Sequence, residues 1–132
     1  MIRIPRSILQ KMIEHARRED PLECCGILGG MSETAQKSFE IRNVKSSSVQ
    51  FVMYPQGQLN AFEEMEESSM EMVAVYHSHP HTLPFPSEMD VQKTLDPDMP
   101  SIIISLIEKD KPMVKAFRIG KEAIYLEEIE LI

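Results

Sequence analysis

The sequence predicts a mixed α/β fold, a largely antiparallel central β-sheet flanked by helices. Three observations predict it. Near the N-terminus apolar residues recur at helical spacing. In the middle they gather into short continuous runs of strand length, and towards the C-terminus two strand-like runs flank a glycine turn. At 132 residues the chain is one domain long. No repeat, low-complexity tract or glycine–serine linker divides it, so residues 1–132 read as a single domain.

Leu9, Met12, Ile13 and Ala16 share one face of a helix over residues 7–19. Ser7 followed by Gln10 has the form of a capping box, and Asp20-Pro21 stops the helix. Residues 24–30 read as a short strand ended by glycines, with a partner strand over 38–44 and another short strand at 51–54. A second helix spans 55–70, with Leu59, Phe62, Met65 and Ser69 inward and Glu63, Glu64, Glu66 and Glu67 outward. Residues 72–76 form a continuous apolar run of the kind buried on both faces of a sheet. A loop with Pro80, Pro84 and Pro86 follows, and a short helix opens at Ser87. Pro97 and Pro100 separate that helix from a strand over 102–108. After a turn at Lys109-Asp110-Lys111-Pro112, residues 113–119 and 124–131 form a closing hairpin around Gly120.

Fourteen basic residues against 21 acidic ones leave a net charge of −7. Such a chain is repelled by phosphate backbones and anionic lipid, and no local basic patch offsets this, so nucleic acid and membrane surfaces are not expected partners. The apolar cluster at 102–107 is far short of the ~20 residues that cross a bilayer. The start, Met1-Ile2-Arg3-Ile4-Pro5-Arg6, lacks a signal-type apolar stretch, and the expected location is cytoplasmic. Cys24 and Cys25 are neighbours, their Cα atoms about 3.8 Å apart across a trans peptide. A disulfide wants roughly 4.4–6.8 Å. The pair reads as two small buried hydrophobes in a reducing compartment.

Three of the four histidines lie in His77-Ser78-His79-Pro80-His81. In an extended chain, residues i and i+2 point to the same side, so His77 and His79 present two imidazoles to one point. Asp90, three residues beyond Ser87, is a candidate third ligand. His81 competes for that role, although Pro80 breaks the extended pattern and turns His81 towards solvent. Two histidines and one carboxylate with an open position suit catalytic zinc, and equally an Fe(II) oxygenase. Ser87 reads either as a helix N-cap or as a donor to an oxyanion beside the metal. Glu23, at the head of an apolar strand, is either an exposed strand-end residue or a general base.

Taken together, Glu23, His77-Ser78-His79-Pro80, Ser87 and Asp90 reproduce the pattern E…H-[S/T]-H-P-x₆-S-x-x-D. The chain resembles the JAMM/MPN+ metallopeptidases along its whole length, including the segment Pro21-Leu22-Glu23-Cys24-Cys25-Gly26-Ile27-Leu28-Gly29 around the glutamate. The resemblance implies an MPN/cytidine-deaminase-like fold. It also implies Zn²⁺ held by His77, His79 and Asp90, with Glu23 as base and Ser87 as oxyanion donor. Zinc would bring the pKa of a bound water to about 7, and the product hydroxide would attack a peptide or isopeptide carbonyl. The small members imply a substrate that is a ubiquitin-like or ThiS/MoaD-type sulfur carrier ending in Gly-Gly, whose tail adds along a strand edge. A chain of 132 residues leaves little room for the insertions that hold ubiquitin in the deubiquitinating members. The acidic stretch 63–71 reads as a solvated helix face or a dock for a basic carrier patch, and the ten methionines as core filler or an adaptable surface. The alternative from another class is a non-catalytic MPN-type scaffold. A homodimer is left open.

Overall fold

The computed structural model describes all residues 1–132. Its elements are β1 (Ile2–Ile4), α1 (Arg6–Glu19), β2 (Cys25–Met31), β3 (Thr34–Ile41), α2 (Pro55–Glu67), β4 (Glu71–His79), α3 (Glu88–Lys93), β5 (Ser101–Ser105), β6 (Met113–Ile119), β7 (Ile124–Glu127) and β8 (Ile129–Leu131). One mixed sheet of eight strands runs β7-β6-β5-β4-β2-β3-β1-β8, mostly antiparallel as expected. No helix is long and apolar enough to cross a membrane.

Helices cover the two faces. Ile8, Met12 and Ala16 of α1 pack on Ile4, Leu28, Ala74, Tyr76 and Ile102, which form the larger core cluster. On the opposite face, Ala61 and Met65 of α2 pack on Cys25, Ile27, Phe39 and Ile41. Cys24 and Cys25 are free and buried. The central strand β4 is paired on both sides, antiparallel to β2 and parallel to β5. Strand β4 therefore has no free edge.

Several sequence expectations are corrected by tertiary contacts. Strand β1 is too short to show periodicity and exists through parallel pairing with β3 and β8. Ser7 forms no cap: the helix begins at Arg6, and the Pro5 carbonyl accepts from Ile8 N–H at 3.0 Å and Leu9 N–H at 3.1 Å. Gly29 and Gly30 do not end β2 but lie inside it, at a bulge. A Cβ on Gly30 would sit 1.9 Å from the Thr34 carbonyl oxygen, so only glycine lets the hairpin strands approach there. The hairpin turns at Ser32 and Glu33, with φ of 50° and 63°, which starts β3 at Thr34 rather than residue 38.

Residues 51–54 supply only an isolated bridge, Asn43 to Met53, and no strand. Helix α2 stops at Glu67 and turns a different face inward. Met65 is buried as expected, but Leu59 and Phe62 are 50% and 42% exposed. Gly57 and Ala61, small residues four apart, let the helix backbone close on Ile41, and that proximity outweighs burial of the larger side chains. The strand expected at 102–108 ends at Ser105, whose Oγ accepts from Ile107 N–H and turns the chain away. The last run splits, with β7 and β8 at opposite edges of the sheet and only Glu128 between them. The sheet is thus curled until its edges nearly meet.

Candidate metal centre

Burial alternates along β4: Ala74 and Tyr76 face α1, while Val75 faces the α2 side. Continuing that alternation, His77 and His79 project together from the C-terminal end of β4. The register holds them from both flanks, with His77 opposite Cys25 and Ile103, and His79 opposite Ser105. The rings are 97% and 96% buried by exposures of 3% and 4%.

Asp90 arrives from α3. Ser87 is the N-cap, its Oγ accepting from Asp90 N–H at 3.1 Å while Ser87 N–H donates to Asp90 Oδ2 at 2.9 Å. This reciprocal box fixes the carboxylate's direction. His77 Nε2 then lies 3.2 Å and His79 Nε2 3.1 Å from the same Oδ2, and the two nitrogens are 3.1 Å apart. His79 Nδ1 donates to the Leu83 carbonyl at 3.0 Å, which leaves Nε2 with its lone pair directed into the cluster.

Three buried donor atoms thus form a nearly equilateral triangle. Metal–ligand bonds of ~2.0–2.1 Å in a tetrahedral site require ligand–ligand edges of roughly 3.3–3.4 Å, close to those seen. A hydrogen-bonded network would not place two imidazole nitrogens face to face on one carboxylate oxygen, so the donor set fits a cation. Burial pushes His77 down in pKa, favouring the neutral ligand form. For His79, burial acts downward but Asp90 and the Leu83 carbonyl outweigh it. Burial would raise Asp90, yet the hydrogen bonds from His77, His79 and Ser87 hold it well below the usual carboxylate range.

Glu23 is buried too, just before β2, and its Oε1 has no hydrogen-bond partner in the chain. Burial pushes its pKa from the ordinary 4.5 to about 7, opposed by the nearby His79 and reinforced by Asp90. Ser87 is half-buried, and its hydroxyl proton has no acceptor within the chain, so the cap and donor readings are compatible. His81 is exposed and outside the His77–His79–Asp90 group. In the 83–85 loop, the Leu83 carbonyl accepts from His79, while the Leu83 and Phe85 side chains are largely exposed, Phe85 edge-on to Phe117.

A cleft of about 440 Å³ opens beside the cluster, with His77 and Asp90 in its wall next to Phe51, Met53 and Met89. Phe51 stacks on the His77 ring, centroids 4.6 Å apart at 28°. Sequence reading missed Phe51, the Leu83 carbonyl and Asn43, which anchors the Glu23 backbone. Only Asn43, an asparagine inside a run read as strand, carried a signal.

A mixed sheet whose central strand offers two imidazoles to a helix-capped aspartate makes a candidate metal centre. Residues 5–120 match the prokaryotic homologs of the JAB domain, and the chain belongs to that family. It is 28% identical over 131 residues to the CysO-cysteine peptidase of Mycobacterium tuberculosis, covering 98% of this chain and 90% of that one. It is 35% identical over 89 residues to desampylase of Pyrococcus furiosus, covering 67% of this chain and 63% of that one. A Desulfitobacterium hafniense protein solved in solution matches with a TM-score of 0.93 at 35% identity, over 100% of this chain and 93% of its own. The fold alone is shared with a structure described as JAMM, a metalloprotease-like zinc site in the proteasome and signalosome. There the TM-score is 0.61 at 18% identity, over 100% of this chain and 98% of that one.

Proposed function

We propose that the protein is a cytoplasmic zinc metallopeptidase. In this reading it hydrolyses the peptide or isopeptide bond after the C-terminal Gly-Gly of a ubiquitin-like or ThiS/MoaD-type sulfur-carrier protein. The observation that carries the proposal is the triangle of His77 Nε2, His79 Nε2 and Asp90 Oδ2, with edges of 3.1–3.2 Å, beside a buried glutamate with an unpartnered oxygen. A scaffold would have no use for Glu23 in that state, because a desolvated carboxyl is costly unless it has a task. The relatives named CysO-cysteine peptidase and desampylase support the substrate class. The free buried cysteines support a reducing compartment.

His77, His79 and Asp90 would hold the zinc, which supplies Lewis acidity to a water and to the scissile carbonyl. Glu23 takes the proton of the attacking water on Oε1 and delivers it to the departing amine. A pKa of about 7 suits both halves of that transfer. Ser87 offers its unused hydroxyl proton to the carbonyl oxygen as charge develops there. Both edges of β4 are occupied, so the tail reaches the site through the cleft beside His77 and Asp90.

The test is incubation of zinc-loaded protein with a Gly-Gly-ending β-grasp carrier extended by cysteine or by a peptide. Cleavage after Gly-Gly that stops with chelator and returns with zinc is the expected result. Glu23→Gln should keep stoichiometric zinc and lose about 10²–10⁴-fold in rate. His77→Ala, His79→Ala and Asp90→Ala should lose zinc as well. Zinc-independent cleavage, or none on any such carrier, would reject the proposal.

A further inference from the structure

Glu23 lies outside the sheet ladder. The β2–β4 pairing ends at Cys25 opposite His77, and Cys24 N–H donates to the Ser78 hydroxyl at 2.8 Å. The Glu23 backbone is held instead by the segment that follows β3. Its N–H donates to the Ser47 carbonyl at 2.8 Å, and its carbonyl accepts from Asn43 Nδ2 at 3.1 Å.

Asn43 is buried, and its carboxamide uses every hydrogen-bonding position it has. Nδ2 also donates to the Gln50 carbonyl at 3.1 Å, and Oδ1 accepts from Lys45 N–H and Val52 N–H, each at 3.0 Å. Two carbonyls on one side and two N–H groups on the other fix the amide's orientation without ambiguity. The same side chain therefore closes the loop from 44 to 52 on itself and ties it to Glu23. That loop carries Ser47, the other anchor of Glu23, and Phe51, which stacks on His77.

We infer that Asn43 is a positioning residue for the hydrolytic site: its carboxamide clamps Glu23 and the Phe51 loop to each other, setting the glutamate against the ligand-bearing end of β4. Its hydrogen bonds reach none of His77, His79 and Asp90, and it acts through Glu23. The inference rests on the reading of Glu23 as the base. A misplacement on the scale of 1 Å in a catalytic group lowers rate by as much as ~10²-fold.

The test uses zinc-loaded wild type, Asn43→Ala, and Asn43→Asp. The aspartate keeps the acceptor for Lys45 and Val52 but sets an oxygen against two carbonyls. With a Gly-Gly-ending β-grasp carrier extended by a peptide, both variants should bind zinc stoichiometrically and keep KM within about threefold, while kcat falls about 10–100-fold. In single turnover with enzyme in excess, Asn43→Ala combined with Glu23→Gln should be no slower than Glu23→Gln alone, because one effect passes through the other. In Asn43→Ala, hydrogen exchange should show lost protection at the Glu23, Lys45 and Val52 amides and none lost at Ala74–Tyr76. Wild-type kcat in Asn43→Ala, multiplicative rates in the double variant, or uniform loss of protection would overturn the inference. Wild-type turnover by Glu23→Gln would instead refute the base assignment, and the exchange pattern would still report whether the clamp exists.

Discussion

Glu23 is stored in the folded chain as a carboxyl that resists ionisation. Its folded pKa of about 7 exceeds the ordinary 4.5, so the folded chain binds this proton more tightly than the unfolded one. Its contribution to stability is therefore fully present below about pH 4.5 and is lost as pH rises through about 7. The loss is on the order of 3 kcal/mol. Metal-free Glu23→Gln should accordingly melt several degrees above wild type at pH 8, and the gap should close near pH 4. Thermal melts of the two proteins at both values check this. A gain in stability with a loss of turnover would mark a residue kept for chemistry rather than for the fold.

At the scale of elements, α3 has only six residues, and its capping box serves the metal centre as much as the helix. Ser87→Ala should cost about 1 kcal/mol in helix capping. It should also weaken zinc binding about 10–100-fold, because the hydroxyl that holds the Asp90 N–H, and with it the direction of the carboxylate, is lost. Ser87→Thr, which keeps a capping hydroxyl, should retain most of the affinity. Competition with a chromophoric chelator measures both. The pairing of β2 with β4 depends on Gly26, where an added Cβ would lie 2.2–2.3 Å from the Tyr76 ring and 2.5 Å from its hydroxyl. That ring is 1% exposed and its hydroxyl bonds His15 Nδ1 at 2.7 Å, so it has nowhere to move. Gly26→Ala should destabilise by at least ~2 kcal/mol, read from the urea midpoint.

The whole molecule is held closed where the two edges of its sheet converge. Buried Glu127 bonds Arg118 Nε at 3.0 Å and the Met1 amine at 2.7 Å, and Ile2 N–H donates to the Glu128 carbonyl at 2.9 Å. Arg118 belongs to one edge region and Met1 to the other, so one carboxylate spans the seam. Its attraction to both cations outweighs the cost of burial and lowers its pKa. That contribution is present above about pH 4.5 and is lost as pH falls below it. Glu127→Ala should destabilise the fold by about 1–3 kcal/mol at pH 7 and leave zinc affinity unchanged, since the seam is remote in sequence and sheet order from β4. Denaturant unfolding beside a zinc titration separates the two effects.

The chain's own order of residues determined the strand that presents His77 and His79, the proline-stiffened return to Ser87, and the glutamate ahead of β2. These depend on periodicity and short spacing, which are local properties of a backbone. Only the tertiary structure decided that Leu59 and Phe62 stay exposed while Gly57 and Ala61 face the sheet, because close approach depends on what lies opposite. It also decided that three-residue β1 is a strand and that β7 and β8 part to opposite edges, since such short segments gain their form from partners distant in sequence. The triangle of donor atoms lies between these cases. Its members were legible one by one, but their meeting at 3.1–3.2 Å required β2 and β5 to fix one strand and a capped helix to return the third group.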